Sequence, residues 1–382
     1  MNALRSLRNI LATAATLCLT AAVPLSAIRT GIDAPGFIAP ALEENGSWSI
    51  ILVPDTQTYV KYARNQPLLE LMTAWIADNS KNLNIKLVLC TGDMVEQNDM
   101  LDPDGQNADQ TGPQQWKAVS RAFERLDGRV PYIVTAGNHD FGIRSVEDRH
   151  TRLDEFFPPE RNHLTQAMLR RAGSNANGRP SLTNAAYEFV SPQGRKFLVL
   201  VLEFAPRDSA LEWGKYVAAD PNFANHTIIL LTHSYLNAQN EHIVTEGYKI
   251  EDRNYGRAVF EKLVQPSKNI EMVISGHIAL PEDPLGHIGF RTDTNAAGRS
   301  ISQMAFNAQA LGGGWFGNGG DCWLRILEFH PDGRTVSVRT FSPLFGISPA
   351  TQQQAWRNDA SDRFSFKLDP ASKGEKAAEI IE

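Results

Sequence analysis

Two kinds of pattern alternate over the first third of the chain. Apolar runs at 48–53, 85–90 and 131–136 predict buried strands, while 66–80 and 113–126 carry apolar residues at helical spacing. Strands that alternate with helices pair in parallel and are covered on both faces. Because the two patterns take turns in this way, the segment predicts a β-α-β-α-β unit at the start of an α/β domain.

Further apolar runs predict a second set of strands after this unit. They lie at 185–190, 196–203, 226–232, 270–275, 288–293, 322–329 and 335–341. Few helical patterns separate them, which indicates antiparallel neighbours. A parallel half and a more antiparallel half predict an α/β fold of two stacked mixed β-sheets flanked by helices, in a single domain at 47–368. The polar stretch at about 141–183 is expected to be an irregular insertion.

The two ends of the chain differ from this domain in composition. Residues 1–27 combine Arg5 and Arg8 with an apolar run and a small-residue end, the three parts of a secretory signal peptide. We therefore expect a secreted or periplasmic protein; the alternative is a membrane anchor formed by an uncleaved N-terminal segment. Residues 28–46 are expected to be a linker and 369–382 a flexible tail. The net charge of −6 gives no strong signal for nucleic-acid or membrane binding.

Polar side chains stand directly after five of the predicted strands. Any one of them could be a helix cap or a turn residue. Together they predict a binding site, because the carboxyl ends of parallel strands meet along one edge of a sheet. Carboxylate, amide and imidazole donors suit divalent metals such as Mn, Zn or Fe, and a bridging carboxylate favours two ions, an arrangement used for attack on phosphorus. The groups are Asp55 with Gln57, Asp93 after Gly92, Asn138-His139-Asp140 after Gly137, His233, and His277 after Gly276.

The order of these motifs resembles the signature of calcineurin-like metallophosphoesterases over roughly 47–342. The resemblance rests on Gly92-Asp93, "GNHD" at 137–140, His233 and Gly276-His277. It implies a metal-dependent phosphoric ester hydrolase that cleaves a phosphomonoester or a phosphodiester with a metal-activated hydroxide. It also implies these residue roles: Asp93 bridges two divalent ions, Asp55 binds the first ion, Asn138, His233 and His277 complete the second site, and His139, its imidazole held by Asp140, is the general acid or phosphate stabiliser.

The chain departs from the family pattern at two positions that both belong to the first ion. Gln57 stands in place of the histidine of Asp-x-His, and Ala279 in place of the last histidine of Gly-His-x-His. Three alternatives are open: amide oxygens of Gln57 and Gln309 bind an ion such as Mn, Mg or Ca, His287 supplies a nitrogen, or one ion works alone. Gln309 could instead be a solvated loop amide. The strings "PDTQ", "GHI" and "LGGGWFGNGGDCWLR" resemble a bacterial subgroup of the family and favour the amide oxygens.

Three residues outside the motifs are predicted to contact the phosphate-ester substrate. Asn98 lies just past the bridging aspartate, Arg207 precedes a helix and could reach a phosphate, and Trp315 lies in a glycine-rich loop, 312–321, expected to be a flap. A surface pair with Asp208 is the alternative for Arg207. The fold leaves the identity of the substrate open. The rival functions are a catalytically weak or inactive metal-binding protein on the same scaffold and an α/β enzyme without metal.

Overall fold

The computed structural model describes residues 36–283 and 285–371. The predicted signal peptide, the first part of the predicted linker and most of the predicted tail lie outside these residues. Within the described part of the chain, none of the helices is both long enough and apolar enough to span a bilayer.

The described residues form strands that make up two sheets, with helices between many of them. The strands are β1 (Trp48–Val53), β2 (Ile85–Cys90), β3 (Tyr132–Val134), β4 (Leu169–Ser174), β5 (Pro180–Val190), β6 (Lys196–Val201), β7 (Thr227–Leu231), β8 (Ile270–Ser275), β9 (Ile288–Thr294), β10 (Ser300–Phe306), β11 (Leu324–Phe329), β12 (Thr335–Phe341), β13 (Trp356–Arg357) and β14 (Arg363–Lys367). The helices are α1 (Gln57–Val60), α2 (Gln66–Asn79), α3 (Gly112–Glu124), α4 (Leu153–Phe156), α5 (His163–Met168), α6 (Asp208–Ala218), α7 (Gly256–Val259, continued by a π turn at Phe260–Val264) and α8 (Pro343–Gly346). Single 3-10 turns lie at Ala63–Asn65, Asn138–Asp140, Pro221–Phe223, Gly314–Phe316 and Gln352–Gln354.

Both sheets are mixed, which confirms the predicted fold class. The first sheet has the order β13-β12-β11-β1-β2-β3, with β14 also paired to β12, and its parallel strands are β1, β2 and β3. The second has the order β4-β5-β6-β7-β8-β10-β9, and its parallel strands are β6, β7, β8 and β10. The first three strands pair in parallel and most of the later strand pairs are antiparallel, as expected, but the later half also contains the parallel strands β6, β7, β8 and β10. Helices α6 and α7 supply the crossover connections that parallel strands need.

The two sheets stack face to face around an aromatic cluster. The ring of Trp48 in β1 lies 5.9 Å from that of Phe189 and 5.7 Å from that of Phe197, both in the second sheet. Successive side chains of β6 point to opposite faces of the second sheet. Phe197 and Val199 face the first sheet, whereas Leu198 and Leu200 pack with α6 and α7. This period of two is what burial on both faces of a strand requires. The layers are therefore helix, sheet, sheet and helix.

The stretch predicted as an irregular insertion, about 141–183, contains regular structure. It holds α4, α5 and β4, and β5 begins within it. Strand β4 is an edge strand that pairs antiparallel with β5 and leaves most of its side chains partly or fully exposed. An edge strand with polar, exposed residues has no continuous apolar run, so the pattern that identified the other strands does not detect it.

Candidate metal centre

The polar residues predicted to converge do lie together, where the carboxyl ends of strands from both sheets meet. Strands β1, β2 and β3 of the first sheet and β7 and β8 of the second each end in one of the groups. Backbone hydrogen bonds hold these ends in register: Thr56 N–H donates to the Asp93 carbonyl at 3.0 Å, and Gly276 N–H donates to the His233 carbonyl at 3.0 Å. The centre is therefore built across the junction of the two sheets.

Four donor atoms converge on one point of this centre. His233 Nε2 lies 3.2 Å from Asp93 Oδ2, 3.2 Å from Asn138 Oδ1 and 3.1 Å from His277 Nδ1. Ligand atoms of Asp93, His233 and His277 all lie within 4.8 Å of one another. Two carboxylate or amide oxygens and two imidazole nitrogens at this spacing form a donor set that suits a transition-metal ion.

Hydrogen bonds from the far side of each ring fix the imidazole tautomers. His233 Nδ1–H donates to the Thr91 carbonyl at 2.7 Å, and His277 Nε2–H donates to the carboxylate of Glu246 at 2.5 Å. The lone pairs of His233 Nε2 and His277 Nδ1 then face one another, which is repulsive unless a cation or a proton lies between them. Such outer partners are what metal-binding histidines require. Asn138 Nδ2–H donates to Ser145, so its Oδ1 also faces the centre.

Local backbone conformations and two glycines make room for these side chains. Asp93 and His277 both have positive φ, 45° and 73°. A Cβ at Gly137 would overlap the Asp93 carboxylate, and a Cβ at Gly276 would overlap the Asp55 carboxylate. The glycines before the two motifs are therefore required by close packing against the ligands.

The ionisable groups of the centre shift one another's pKa values. Burial raises the pKa of Asp55 to about 8, and the neighbouring Asp93 carboxylate also raises it. Burial alone would raise the pKa of Asp93, but the imidazolium of His233 outweighs this effect and lowers that pKa to about 2. Burial likewise would lower the pKa of His233, yet the carboxylates of Asp93 and Asp55 raise it to about 10. The Asp93 carboxylate and the His233 imidazolium therefore stabilise one another's charged forms.

The residues expected at the first ion lie on the Asp55 side of the centre and are buried. Asp55 accepts hydrogen bonds from Thr91 at 3.1 Å and from Asn307 Nδ2 at 2.7 Å. Gln57 is 4% exposed, and no described residue donates a hydrogen bond to its Oε1. Gln309 is 2% exposed, its Oε1 accepts from Thr58, and its backbone N–H donates to Asn307 Oδ1. The interpretation of Gln309 as a solvated loop amide is therefore wrong.

His287 does not join this centre. It is buried beside Phe306, and burial lowers its pKa to about 4, while its charged neighbours are Arg357, Asp362 and Arg325. The structure gives no support to the alternative in which His287 supplies the missing nitrogen.

His139 lies at the centre, but its predicted contact with Asp140 is wrong. His139 N–H donates to Asp93 Oδ1 at 2.9 Å, and its ring Nδ1–H donates to the Glu96 carbonyl at 2.7 Å. The Asp140 carboxylate instead accepts from the backbone N–H groups of Val95 and Gly137, at 3.0 and 2.8 Å. Both of these amides are buried and need an acceptor, so Asp140 stabilises the turn that carries His139 rather than its ring.

Asn98 and Arg207, predicted to contact substrate, are engaged in the scaffold. Asn98 is fully buried, accepts from Trp116 Nε1 at 3.0 Å and donates to the Gly142 carbonyl at 2.9 Å. Arg207 donates to Glu203 at 2.8 Å and to the Ser174 carbonyl at 2.7 Å. Full burial leaves Asn98 no surface for a substrate, so that prediction is wrong, whereas contact of Arg207 with substrate stays a prediction. The alternative for Arg207, a surface pair with Asp208, is also wrong, because Asp208 pairs with Lys262 instead.

Trp315 lies in the 3-10 turn of the glycine-rich loop. It is 38% exposed, and its neighbour Phe316 is 53% exposed. The Phe316 ring lies 5.9 Å from Lys61 Nζ, which pairs with Glu96 at 3.2 Å. Since the Glu96 carbonyl holds His139, the loop is connected to the centre by three consecutive contacts. Contact of Trp315 with substrate stays a prediction.

Two residues next to the ligands were missed in the sequence. Glu246, which holds His277, lies in the connection between β7 and α7, and Asn307, which binds Asp55, follows β10. Glu246 stands in an irregular stretch without apolar periodicity, so it gave no signal. The run before Asn307 does resemble a strand that ends in a polar residue, and the rule that found the other ligands would have found it.

Comparison with known proteins agrees with this geometry. The sequence matches the family model of the calcineurin-like phosphoesterases over residues 49–281. This chain belongs to the calcineurin-like phosphoesterase family. Membership supports a phosphoester hydrolase that works with divalent metal ions.

The individual proteins that this chain resembles have low sequence identity to it. An uncharacterized protein of Bacillus subtilis (strain 168), YvnB, is 28% identical over 324 residues, which cover 84% of this chain and 22% of that protein. The chain thus spans about a fifth of the length of this curated relative. A dimetal phosphatase from Danio rerio has a TM-score of 0.46 at 12% identity, covering 84% of this chain and 99% of its own. A purple acid phosphatase from yellow lupin (Lupinus luteus) has a TM-score of 0.44 at 13% identity, covering 87% and 55%.

Proposed function

We propose that this protein hydrolyses a phosphomonoester or a phosphodiester with two divalent metal ions bound at the centre. The observation that carries the proposal is the convergence of Asp93, Asn138, His233 and His277 with their donor atoms turned inward. When bound, divalent ions would polarise the phosphoryl group and lower the pKa of a water molecule that attacks phosphorus.

The four converging side chains fit a metal ion at the second site. His233 and His277 each have one nitrogen committed to an outer partner and the other directed at the centre. Asp93 presents one carboxylate oxygen to this cluster, while its other oxygen accepts from His139 N–H. These four side chains would hold the second ion, with Asp93 shared between both ions.

The first ion would be held by oxygen atoms alone. The Oε1 atom of Gln57 is buried without a hydrogen-bond donor among the described residues, which is costly unless a cation binds it. Asp55 and Gln309 are buried as well, and Asn307 hydrogen-bonds to both of them. A carboxylate and two amide oxygens are hard donors, so we propose that Mn, Mg or Ca is preferred there over Zn.

His139 would act on the leaving group. Its Nδ1–H is committed to the Glu96 carbonyl, so Nε2 is the nitrogen available to substrate. The ring lines a cavity of about 190 Å³, which Asn107 and Arg144 also line. We propose that His139 Nε2 donates a proton to the leaving oxygen, a contribution typically worth about 10²- to 10⁴-fold in rate.

The test is turnover of p-nitrophenyl phosphate and bis(p-nitrophenyl) phosphate with Mn, Zn, Fe, Mg and Ca supplied in turn. His139→Ala should lower kcat while metal content stays at the wild-type level, and His277→Ala should lower both. His163→Ala, at an exposed position outside the centre, is the matched control and should change neither. Loss of metal from the His139 variant would contradict the assigned role. A protein that binds metal and hydrolyses neither ester would be the metal-binding rival.

We also propose export to the periplasm or the exterior, on the signal-peptide pattern of residues 1–27. N-terminal sequencing of the protein expressed with this segment should find a chain that begins near residue 28. A chain that keeps the whole segment and remains in the membrane fraction would favour the anchor instead.

A further inference from the structure

Two separate hollows open from the metal centre. One is the His139 cavity, whose walls are polar and charged, with Glu96, Asp104 and Arg144 among them. The other, here the His277 groove, has a volume of about 530 Å³ and begins at His277 and its partner Glu246. No described residue lines both. A substrate bound at the centre can therefore extend in two directions.

His139 and His277, which each line one of the hollows, are linked to different oxygens of the Asp93 carboxylate. His139 contacts Asp93 Oδ1 through its backbone N–H, at 2.9 Å. His277 stands on the Oδ2 side, since its Nδ1 lies 3.1 Å from His233 Nε2, which in turn lies 3.2 Å from Oδ2. A phosphorus atom at the centre would thus have one hollow on each side.

Part of the lining of the His277 groove is apolar. This part is formed by Ile243 and Val244, from the connection between β7 and α7, and by Ile278, Ala279 and Leu280, which follow β8. Val244 is 70% exposed and Leu280 is 48% exposed, so both side chains are accessible to a ligand in the groove. Ala279 stands where the family pattern has a histidine, so its replacement also makes this part of the lining apolar.

The groove offers no cation to an incoming phosphate. Among its described lining residues none is Lys or Arg, whereas Glu241 and Glu246 are acidic. A phosphomonoester carries close to two negative charges at neutral pH and a phosphodiester carries one. A partly apolar lining beside the phosphorus, with acidic groups and no cation, therefore favours an uncharged substituent at this position over a further phosphate oxygen.

We propose that the substrate is a phosphodiester whose retained substituent is apolar and lies in the His277 groove, while the leaving group lies beside His139. This inference rests on the proposed function and names its substrate class. In the reaction, a water oxygen forms a bond to phosphorus and the bond from phosphorus to the leaving oxygen breaks. One proton of the water is lost to solvent, and the leaving oxygen gains a proton from His139 Nε2. The products are an alcohol and a phosphomonoester that keeps the apolar substituent.

The test is a series of alkyl p-nitrophenyl phosphates with methyl, butyl and hexyl groups, with p-nitrophenyl phosphate as the monoester. We expect kcat/KM to exceed that of the monoester and to rise about two- to fourfold for each methylene that the groove covers. Replacing Val244 and Leu280 by Ser should lower the hexyl-to-methyl ratio of kcat/KM by about tenfold or more. Val190→Ser changes a similarly exposed apolar residue outside the groove and should leave the ratio unchanged.

The outcomes separate this inference from the proposed function. Turnover of the diesters without dependence on chain length, or a preference for the monoester, would overturn the substrate class and leave phosphoester hydrolysis intact. An unchanged ratio in the Val244 and Leu280 double variant, confirmed as folded by its thermal unfolding, would overturn the assignment of the groove. Failure to hydrolyse any of these esters in the metal-loaded protein would overturn the proposed function itself.

Discussion

Metal binding should release protons, and the pKa values of the ligands give the number released. At pH 7 Asp55, with a pKa of about 8, holds its proton, and so does His233, with a pKa of about 10. Asp93, with a pKa of about 2, is already ionised and releases none. Because a metal ligand must be deprotonated, loading both ions at pH 7 should release roughly two protons per chain.

The sign of the pH dependence follows from the same values. The pKa of Asp55 is raised, so its proton competes with metal below pH 8 and no longer does so above it. At pH 9 only His233 still holds a proton, and the release should fall to about one. The overall association constant for both ions should rise by about 100-fold per pH unit near pH 7 and by about tenfold per unit near pH 9.

Isothermal titration calorimetry measures this directly. Metal-free protein is titrated with Mn²⁺ in buffers that differ in ionisation enthalpy, and the slope of the observed enthalpy against the buffer enthalpy gives the number of protons. Asp55→Asn should reduce the release at pH 7 from about two to about one. His163→Gln, outside the centre, is the control and should leave the number at the wild-type value. A release near zero for the wild-type protein at pH 7 would refute the reasoning, since it would mean that Asp55 and His233 are not protonated in the metal-free protein.

Three further substitutions test the surroundings of the centre and the core. Glu246→Gln replaces a charged acceptor by a neutral one and should weaken binding at the His277 site by about 10- to 100-fold, measured by the same titration; an unchanged affinity would mean that the contact does not orient the ring. Gly276→Ala places a Cβ against the Asp55 carboxylate, so the rise in melting temperature that Mn²⁺ gives the wild type should disappear. Trp48→Ala removes the ring at the junction of the sheets and should lower the free energy of unfolding by about 3 to 5 kcal/mol in urea denaturation. A loss below about 1 kcal/mol would show that this aromatic cluster is not part of the stabilising core.

The ligands were predictable because their signal is local. An apolar run that ends in Gly92-Asp93 or Gly276-His277 reports both a buried strand and the polar group at its end. Parallel pairing then brings such ends to one edge, whatever the distance between them in the chain. The two sheets, the buried strands and the convergence of the donors therefore followed from the sequence.

The partners of the ligands were decided only by the tertiary structure. Glu246 reaches His277 because a connection without helical or strand periodicity folds back over the centre, and such a segment carries no pattern to read. Asp140 stands next to His139 in the chain, yet its carboxylate turns to two buried backbone amides that would otherwise lack an acceptor. Local patterns determine which groups reach the sheet edge. The orientation of each group depends on which buried donors and acceptors surround it, and these come from distant parts of the chain.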